Sequence, residues 1–312
     1  MILRRKPVAA QARDAARAAH RIVFVTGKGG VGKSALAAAT ALQLARAGQR
    51  VLLVELGSRS FLGPWLGVPV GAEPAQWQPR VAIARWDVES ALREYIGHYL
   101  VFQSAARGVL NATAMKALVG AAPSVAELAI LGKLTAPMRH GWYKRDVDAV
   151  VVDGYATGHF LALLRAPRGL SGTVASGAMH RHTSAMSRVL ADPDICEYRL
   201  VTMAEEGPIA EACELARAIR EETGIAARLY CNRMLSLPPA LPAPAAEDPA
   251  APFLRQMARI AQRQRAARLA LAGLGEDGGG AALELPFVPT LEPMRLLEAL
   301  AGVLQAAQEA GS

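Results

Sequence analysis

The sequence predicts an α/β chain with a mostly parallel central sheet, helices on both faces and a small helical subdomain. Three observations carry that prediction. Short apolar runs without polar alternation recur, among them Ile22-Val23-Phe24-Val25, Val51-Leu52-Leu53-Val54 and Ala149-Val150-Val151-Val152; such runs suit strands buried on both faces. Segments of helical spacing lie between them, and strand–helix–strand order calls for parallel pairing. The first run also leads straight into a glycine-rich stretch, Gly27-Lys28-Gly29-Gly30-Val31-Gly32-Lys33-Ser34, which opens a helix.

Taken in order, residues 1–20 read as a basic arm, helical from Val8, and 21–310 as a single domain. His20–Thr26 is the first strand. Ser34–Ala47 is a helix closed by Gly48, since glycine takes the left-handed turn that ends a helix without strain. Val51–Glu55 is the second strand, and Gly57 to Pro79 reads as loop-rich because Gly and Pro recur at short intervals. Helical spacing from Glu89 to Lys144, broken near Gly108, Gly120 and Pro123, predicts three or four short helices, a subdomain over about 89–145. Val147–Asp153, Tyr198–Met203, Ile225–Asn232 and Ala282–Val288 are further strands. Pro208–Thr223, Pro252–Gly273 and Glu292–Gln308 are helices, and proline-dense Leu237–Pro252 is a surface loop.

Composition narrows the function. Apolar residues make up 52% of the 312, enough for a full core without disulfides or metals. Cys196, Cys213 and Cys231 are widely spaced with no C-x-x-C pair, which points to buried thiols in a reducing compartment, the cytoplasm. No apolar run approaches the ~18 residues of a membrane span, and no apolar leader opens the chain. The net charge of +8 concentrates in residues 1–21 and in the acid-free stretch 253–268, with Arg255, Arg259, Arg263, Arg265 and Arg268. Aromatics are only 5% and do not interleave with these charges apart from Phe253, so a nucleic-acid partner is not expected. Trp65, Trp77, Trp86 and Trp142 read as packing, and His180-Arg181-His182 as a solvent-facing loop or helix start.

The chemistry lies in Gly27–Ser34, which fits G-x-x-x-x-G-K-[ST] between a buried strand and a helix, the context of a three-layer P-loop NTPase fold. Glycines at 27, 29, 30 and 32 let the backbone N–H groups from Gly29 through Val31 to Ala35 surround ATP phosphates. Lys33 supplies charge to those phosphates, and the Ser34 hydroxyl is the expected Mg2+ ligand. Asp153, at the end of a buried strand, is placed to hold the metal as a Walker-B carboxylate, and the Gly-containing stretch after it suits a loop that changes with the γ-phosphate. The chain has six lysines against 29 arginines, yet two of the six lie in this one loop. The early one, Lys28, marks deviant phosphate loops such as those of the partitioning and arsenite-pump ATPases, where it reaches across a dimer interface and acts like an arginine finger.

Together with Asp153-Gly154-Tyr155-Ala156-Thr157-Gly158-His159 and the Leu-rich run that follows, this loop resembles the ArsA-type family of arsenite-pump and tail-anchored-protein-targeting ATPases. Leu190-Ala191-Asp192-Pro193, Val201–Glu206 and Glu211-Ala212 follow the family's later pattern. The resemblance spans about Arg21 to Gln308. It implies that Asn232 and Arg233 read the adenine, that Pro286 and Phe287 close over the base, and that His159 moves with the nucleotide.

Three departures stand out. The C-x-x-C pair and Met-rich insert of the targeting members are missing, as are the tandem halves of the pump. Gly57 stands where the family's first switch carries an acid, and Glu55 is left as the candidate for orienting water. The nearer likeness is to bacterial single-half relatives, often paired as two different chains. The expectation is therefore an ATP- and Mg2+-dependent ATPase switch, a homodimer or a heterodimer with a similar chain, gating a protein cargo or client. The alternative is a nucleotide-holding regulatory subunit with little turnover. A positioning ATPase on DNA or membrane is disfavoured, because the closing helix carries only Arg295 for basic charge.

Overall fold

A computed structural model describes residues 21–100, 123–136, 147–173, 178–235, 249–272 and 281–310. The basic arm, the breaks near Gly108 and Gly120, Trp142 and most of the 237–252 loop lie outside the described residues. The strands are β1 (Arg21–Gly27), β2 (Val51–Leu56), β3 (Ala75–Gln78), β4 (Val81–Trp86), β5 (Ala149–Ala156), β6 (Cys196–Met203), β7 (Arg228–Met234) and β8 (Leu283–Pro286). The helices are α1 (Lys33–Arg46), α2 (Leu62–Leu66), α3 (Val88–Leu100), α4 (Pro123–Thr135), α5 (Thr157–Thr173), α6 (Ala178–Leu190), α7 (Glu206–Thr223), α8 (Ala251–Ala272) and α9 (Pro293–Ala310). One eight-stranded sheet runs β3-β4-β2-β5-β1-β6-β7-β8. Only β3 is antiparallel to its neighbour, so the predicted mostly parallel α/β fold is present.

The unalternated apolar runs have the cause inferred for them. Ile22 and Phe24 of β1 face one core and Val23 and Val25 the other, all fully buried. On one face Phe24, Phe160 and Tyr198 form an aromatic cluster, with Phe24 stacked on Tyr198 at 5.4 Å between ring centres. The Tyr198 hydroxyl donates to the Leu190 carbonyl at 2.7 Å, so its polar end is satisfied inside the core. On the other face lies α1, whose buried Ala37, Ala38, Ala39 and Ala41 let it approach the sheet closely. Helix α9 covers α1 through Leu297, Leu300, Ala301 and Leu304, as the expected core-docking helix. Among the described residues no helix is long and apolar enough to cross a membrane.

Several elements differ from expectation. The 57–79 stretch is not all loop: it holds α2 and β3, and strand β4 follows at once. Strand β5 runs on past Asp153 to Ala156, and α5 starts at Thr157, so no open loop follows the carboxylate. Pairing to β2 ends at Asp153, and pairing to β1, resumed at Gly27 with Ala156 after a register shift, holds the chain extended there. Gly154 is needed because a Cβ on it would come within 2.8 Å of the Val25 carbonyl oxygen. Strand β7 begins at Arg228, three residues later than Ile225. His182 is buried within α6, against the ring of Tyr95 at 5.5 Å, rather than facing solvent. Trp86 packs as expected, 1% exposed, and the buried Lys133 of α4 lies 4.7 Å above its ring while bridging Glu94 at 2.7 Å.

Candidate functional site

The turn from β1 into α1 owes its shape to two glycines in tight places and two in open ones. A Cβ on Gly27 would lie 2.2 Å from the Val201 carbonyl oxygen, and one on Gly32 would lie 2.2 Å from Asn232 Nδ2. Both backbones have positive φ, 145° and 101°, which side-chain-bearing residues rarely adopt. Gly29 and Gly30, by contrast, are exposed, with nothing within 4 Å of a would-be Cβ. The result is a concave backbone with an open mouth. Helix α1 begins at Lys33 with no side chain capping its N-terminus and no acid in its first turn, so its first N–H groups and dipole face that mouth uncompensated.

Parallel pairing in register aligns Val25 of β1, Asp153 of β5 and Glu55 of β2 in one row across the sheet. Asp153 is 6% exposed and hydrogen-bonded by Ser34. Burial pushes its carboxyl up to about 6; Glu55 adds to the rise, while Ser34 and Lys33 oppose it. Burial also lowers the Lys33 ammonium, partly offset by Asp153, and that ammonium donates to the Lys28 carbonyl at 2.9 Å. The oxygens of Ser34 and Asp153 are hard donors, the kind Mg2+ accepts alongside water and phosphate.

A raised carboxyl pKa has a stability consequence. The folded state favours protonated Asp153, a contribution fully present below about pH 4 and lost as pH rises through 6. Ionised Asp153 then costs about 2–3 kcal/mol at neutral pH. Asp153→Asn is therefore expected to be more stable than the parent by that order at pH 7.5 without nucleotide. The gain should shrink through pH 6 and vanish near pH 4, as urea unfolding at several pH values will read.

Glu55 has partners of its own. Its carboxylate accepts from the Ser60 hydroxyl and from the amides of Phe61 and Leu62, so it caps α2. Ser60 in turn accepts from the Gly63 amide at 2.9 Å. Gly57 has φ 145°, so a side chain at this position would be strained on the present backbone.

The residues expected at the base end meet where β7 and β8 finish, with Met234 paired to Pro286. Asn232 Nδ2 donates to the Val31 carbonyl at 2.8 Å and Asn232 Oδ1 accepts from the Arg233 amide at 2.9 Å. The strand end and the phosphate loop are thereby tied together. Arg233 has φ 58°, and the Phe287 amide donates to the Met234 carbonyl at 2.8 Å with half its surface exposed. Sequence reasoning missed Gln264 of α8, which donates to the Arg233 carbonyl at 3.0 Å and accepts from the Leu235 amide at 2.9 Å. It also assigned no role to Glu211, which forms an ion pair with Lys28. Thr26, whose hydroxyl donates to the Tyr155 carbonyl at 3.0 Å, links the loop's strand to the residues after Asp153.

A family model described as anion-transporting ATPase matches residues 20–177, half of the chain. The chain belongs to the ArsA ATPase family. ATPase BagA of Mycobacterium tuberculosis is 31% identical over 62% of this chain and 59% of its own length. A putative arsenical pump-driving ATPase of Halobacterium salinarum is 31% identical over 66% of the chain and 34% of its own length. The arsenical pump-driving ATPase of Escherichia coli is 28% identical over 83% and 42% respectively. The chain thus spans less than two thirds of these relatives. Within this ArsA-family chain Cys196 and Cys231 are buried, and burial raises both thiols, to about 12 and about 11. Among the described residues no group of three or more His, Cys, Asp or Glu is placed to hold a metal ion.

Proposed function

We propose that this chain binds ATP with Mg2+ in the Gly27–Ser34 loop and hydrolyses it as a dimer in which Lys28 acts on the partner's nucleotide. The observation that carries this reading is the divergence of the two lysines. Lys33 is half-buried at the loop's inner end, beside Asp153, while Lys28 stands 44% exposed on the rim, turned to Glu211 of α7. One ammonium serves the chain's own cradle and the other is available to a second subunit.

In this reading the amides of Gly29 to Ala35 and Lys33 bind the β- and γ-phosphates, and Ser34 and Asp153 hold the cation. Mg2+ held by these residues would neutralise charge on the phosphate oxygens. Water attacks the γ-phosphorus, the bond to the β–γ bridging oxygen breaks, and ADP and phosphate leave. Lys28 of the other subunit stabilises the charge developing on those oxygens. Asn232, Arg233, Pro286 and Phe287 enclose the base. The nucleotide state gates a protein cargo or client in the cytoplasm, a setting consistent with three free cysteines.

A second reading has its own observation. Glu55 is occupied in capping α2 and Gly57 carries no acid, so no carboxylate of the first-switch segment is free to orient water. This favours a regulatory subunit with little turnover, paired with a catalytic paralogue. Phosphate release by the chain alone, and mixed with a homologous chain, separates the two. Sustained release alone supports the first reading and release only in the mixture the second. Failure to bind ATP with Mg2+ at millimolar concentration overturns both.

A further inference from the structure

Resting on that reading, we propose that Glu211 is a positioning residue, a catch that holds Lys28 on its own subunit until a nucleotide-loaded partner withdraws it. Gly27 of β1 is paired with Val201 of β6, so α7, which follows β6 after two residues, begins beside the phosphate loop. On α7 the residues Ile209, Ala212, Leu215 and Ile219 are buried. Glu211 lies off that stripe and meets the Lys28 ammonium. Neither side chain makes another ion pair among the described residues.

The pair has the strength such a device needs. Both side chains are 40–44% exposed, so the attraction is screened and worth little. A weak pair can bias where Lys28 rests without preventing its transfer. Residue 28 is restrained at two points: its carbonyl accepts from Lys33 and its ammonium is held by Glu211. Incoming phosphates compete for the Lys33 ammonium and remove the first restraint. The second then remains, and yields when a partner subunit offers a second set of phosphate oxygens. Binding in one subunit and release of the lysine toward the other are thereby linked through a single residue. In a symmetric dimer two such pairs break, so their combined effect on assembly exceeds that of either.

The test uses the full chain with Mg2+ and a non-hydrolysable ATP analogue, and measures dimer formation by light scattering across nucleotide concentrations. Glu211→Gln should lower the concentration for half-maximal dimer by about three- to ten-fold, the effect of freeing two exposed pairs. Glu211→Asp, which keeps the charge, should stay near the parent, and so should Glu214→Gln, an exposed acid on the same helix. In turnover with ATP, Glu211→Gln should lower KM with kcat kept, whereas damage to α7 would lower kcat and stability together. An unchanged or raised midpoint for Glu211→Gln, or an equal shift for Glu214→Gln, overturns the proposal. If the parent chain dimerises with nucleotide and Glu211→Gln does not differ, only the catch fails. If the parent stays monomeric at saturating nucleotide, the dimeric reading fails with it.

Discussion

Lys28→Ala is expected to cut ATP turnover by about a thousandfold or more while leaving nucleotide affinity within a few-fold of the parent. A cation delivered in trans to the transferring phosphoryl group contributes on the order of 10³–10⁵ in rate, and interactions made only in the transition state appear in kcat rather than in binding. Lys28 is suited to that role by where it is: on the rim, paired with Glu211, while Lys33 turns inward beside Asp153. Lys33→Ala should behave differently and lose nucleotide binding outright. The comparison is made with steady-state phosphate release and equilibrium binding of a fluorescent nucleotide on the same samples. Two outcomes would contradict it: parental turnover in Lys28→Ala, or a loss of affinity matching that of Lys33→Ala. Mixing Lys28→Ala with a chain carrying a dead phosphate loop adds a geometric check. A lysine working in trans lets the two defects complement at one of two sites, whereas a lysine working in cis does not.

Much of this arrangement could be read in the sequence, because it depends on local pattern. The run Ile22–Val25 followed by four spaced glycines fixes β1, the turn and α1, and the run ending in Asp153 fixes β5. Glycine carried extra information: Gly27, Gly32 and Gly154 each stand where a Cβ would collide with another strand or with Asn232. Strand β4 escaped because Val81–Trp86 follows a stretch dense in Gly and Pro, and its core-facing residues are interrupted by Arg85. What decides its state is pairing with β2, a contact between distant segments that periodicity does not report. The stretch after Asp153 reads as a loop for a related reason: Gly154 there marks close packing against β1, not an open loop. The partners of Lys28 and Glu55 were equally hidden. Glu211 is 183 residues from Lys28, and Glu55 is close in sequence to Ser60 but meets it only because α2 turns back onto the strand end. Spacing nominates the residues suited to the chemistry. The pairing of charges that sets their resting state is a tertiary fact.

Glu197→Ala should be the most damaging single change to stability, at about 3–5 kcal/mol, because it strands a buried charge. Glu197 and Arg199 lie on the face of β6 under α1, both nearly fully buried. Arg199 Nε donates to Glu197 Oε1 at 2.8 Å, Arg21 pairs with the other oxygen, and Arg228 Nε stands 3.8 Å away. Arg199 also donates to the Thr40 hydroxyl of α1 at 2.9 Å and lies against the ring of Tyr230. Burial by itself raises the Glu197 carboxyl, but Arg199, Arg21 and Arg228 outweigh it and hold the group below its ordinary range. A depressed carboxyl contributes stability above its unfolded value and loses it as pH falls through the folded one. The gap between Glu197→Ala and the parent should therefore be widest near pH 7 and narrow below about pH 4, as urea unfolding will show. High salt should change it little, since the pair is shielded from solvent. Replacing both partners, Glu197→Leu with Arg199→Met, should recover most of the loss, because no unpaired charge then remains under α1. A loss below about 1 kcal/mol in Glu197→Ala would mean that water reaches Arg199, and that α1, which presents the phosphate loop, is seated less firmly on β6 than this geometry requires.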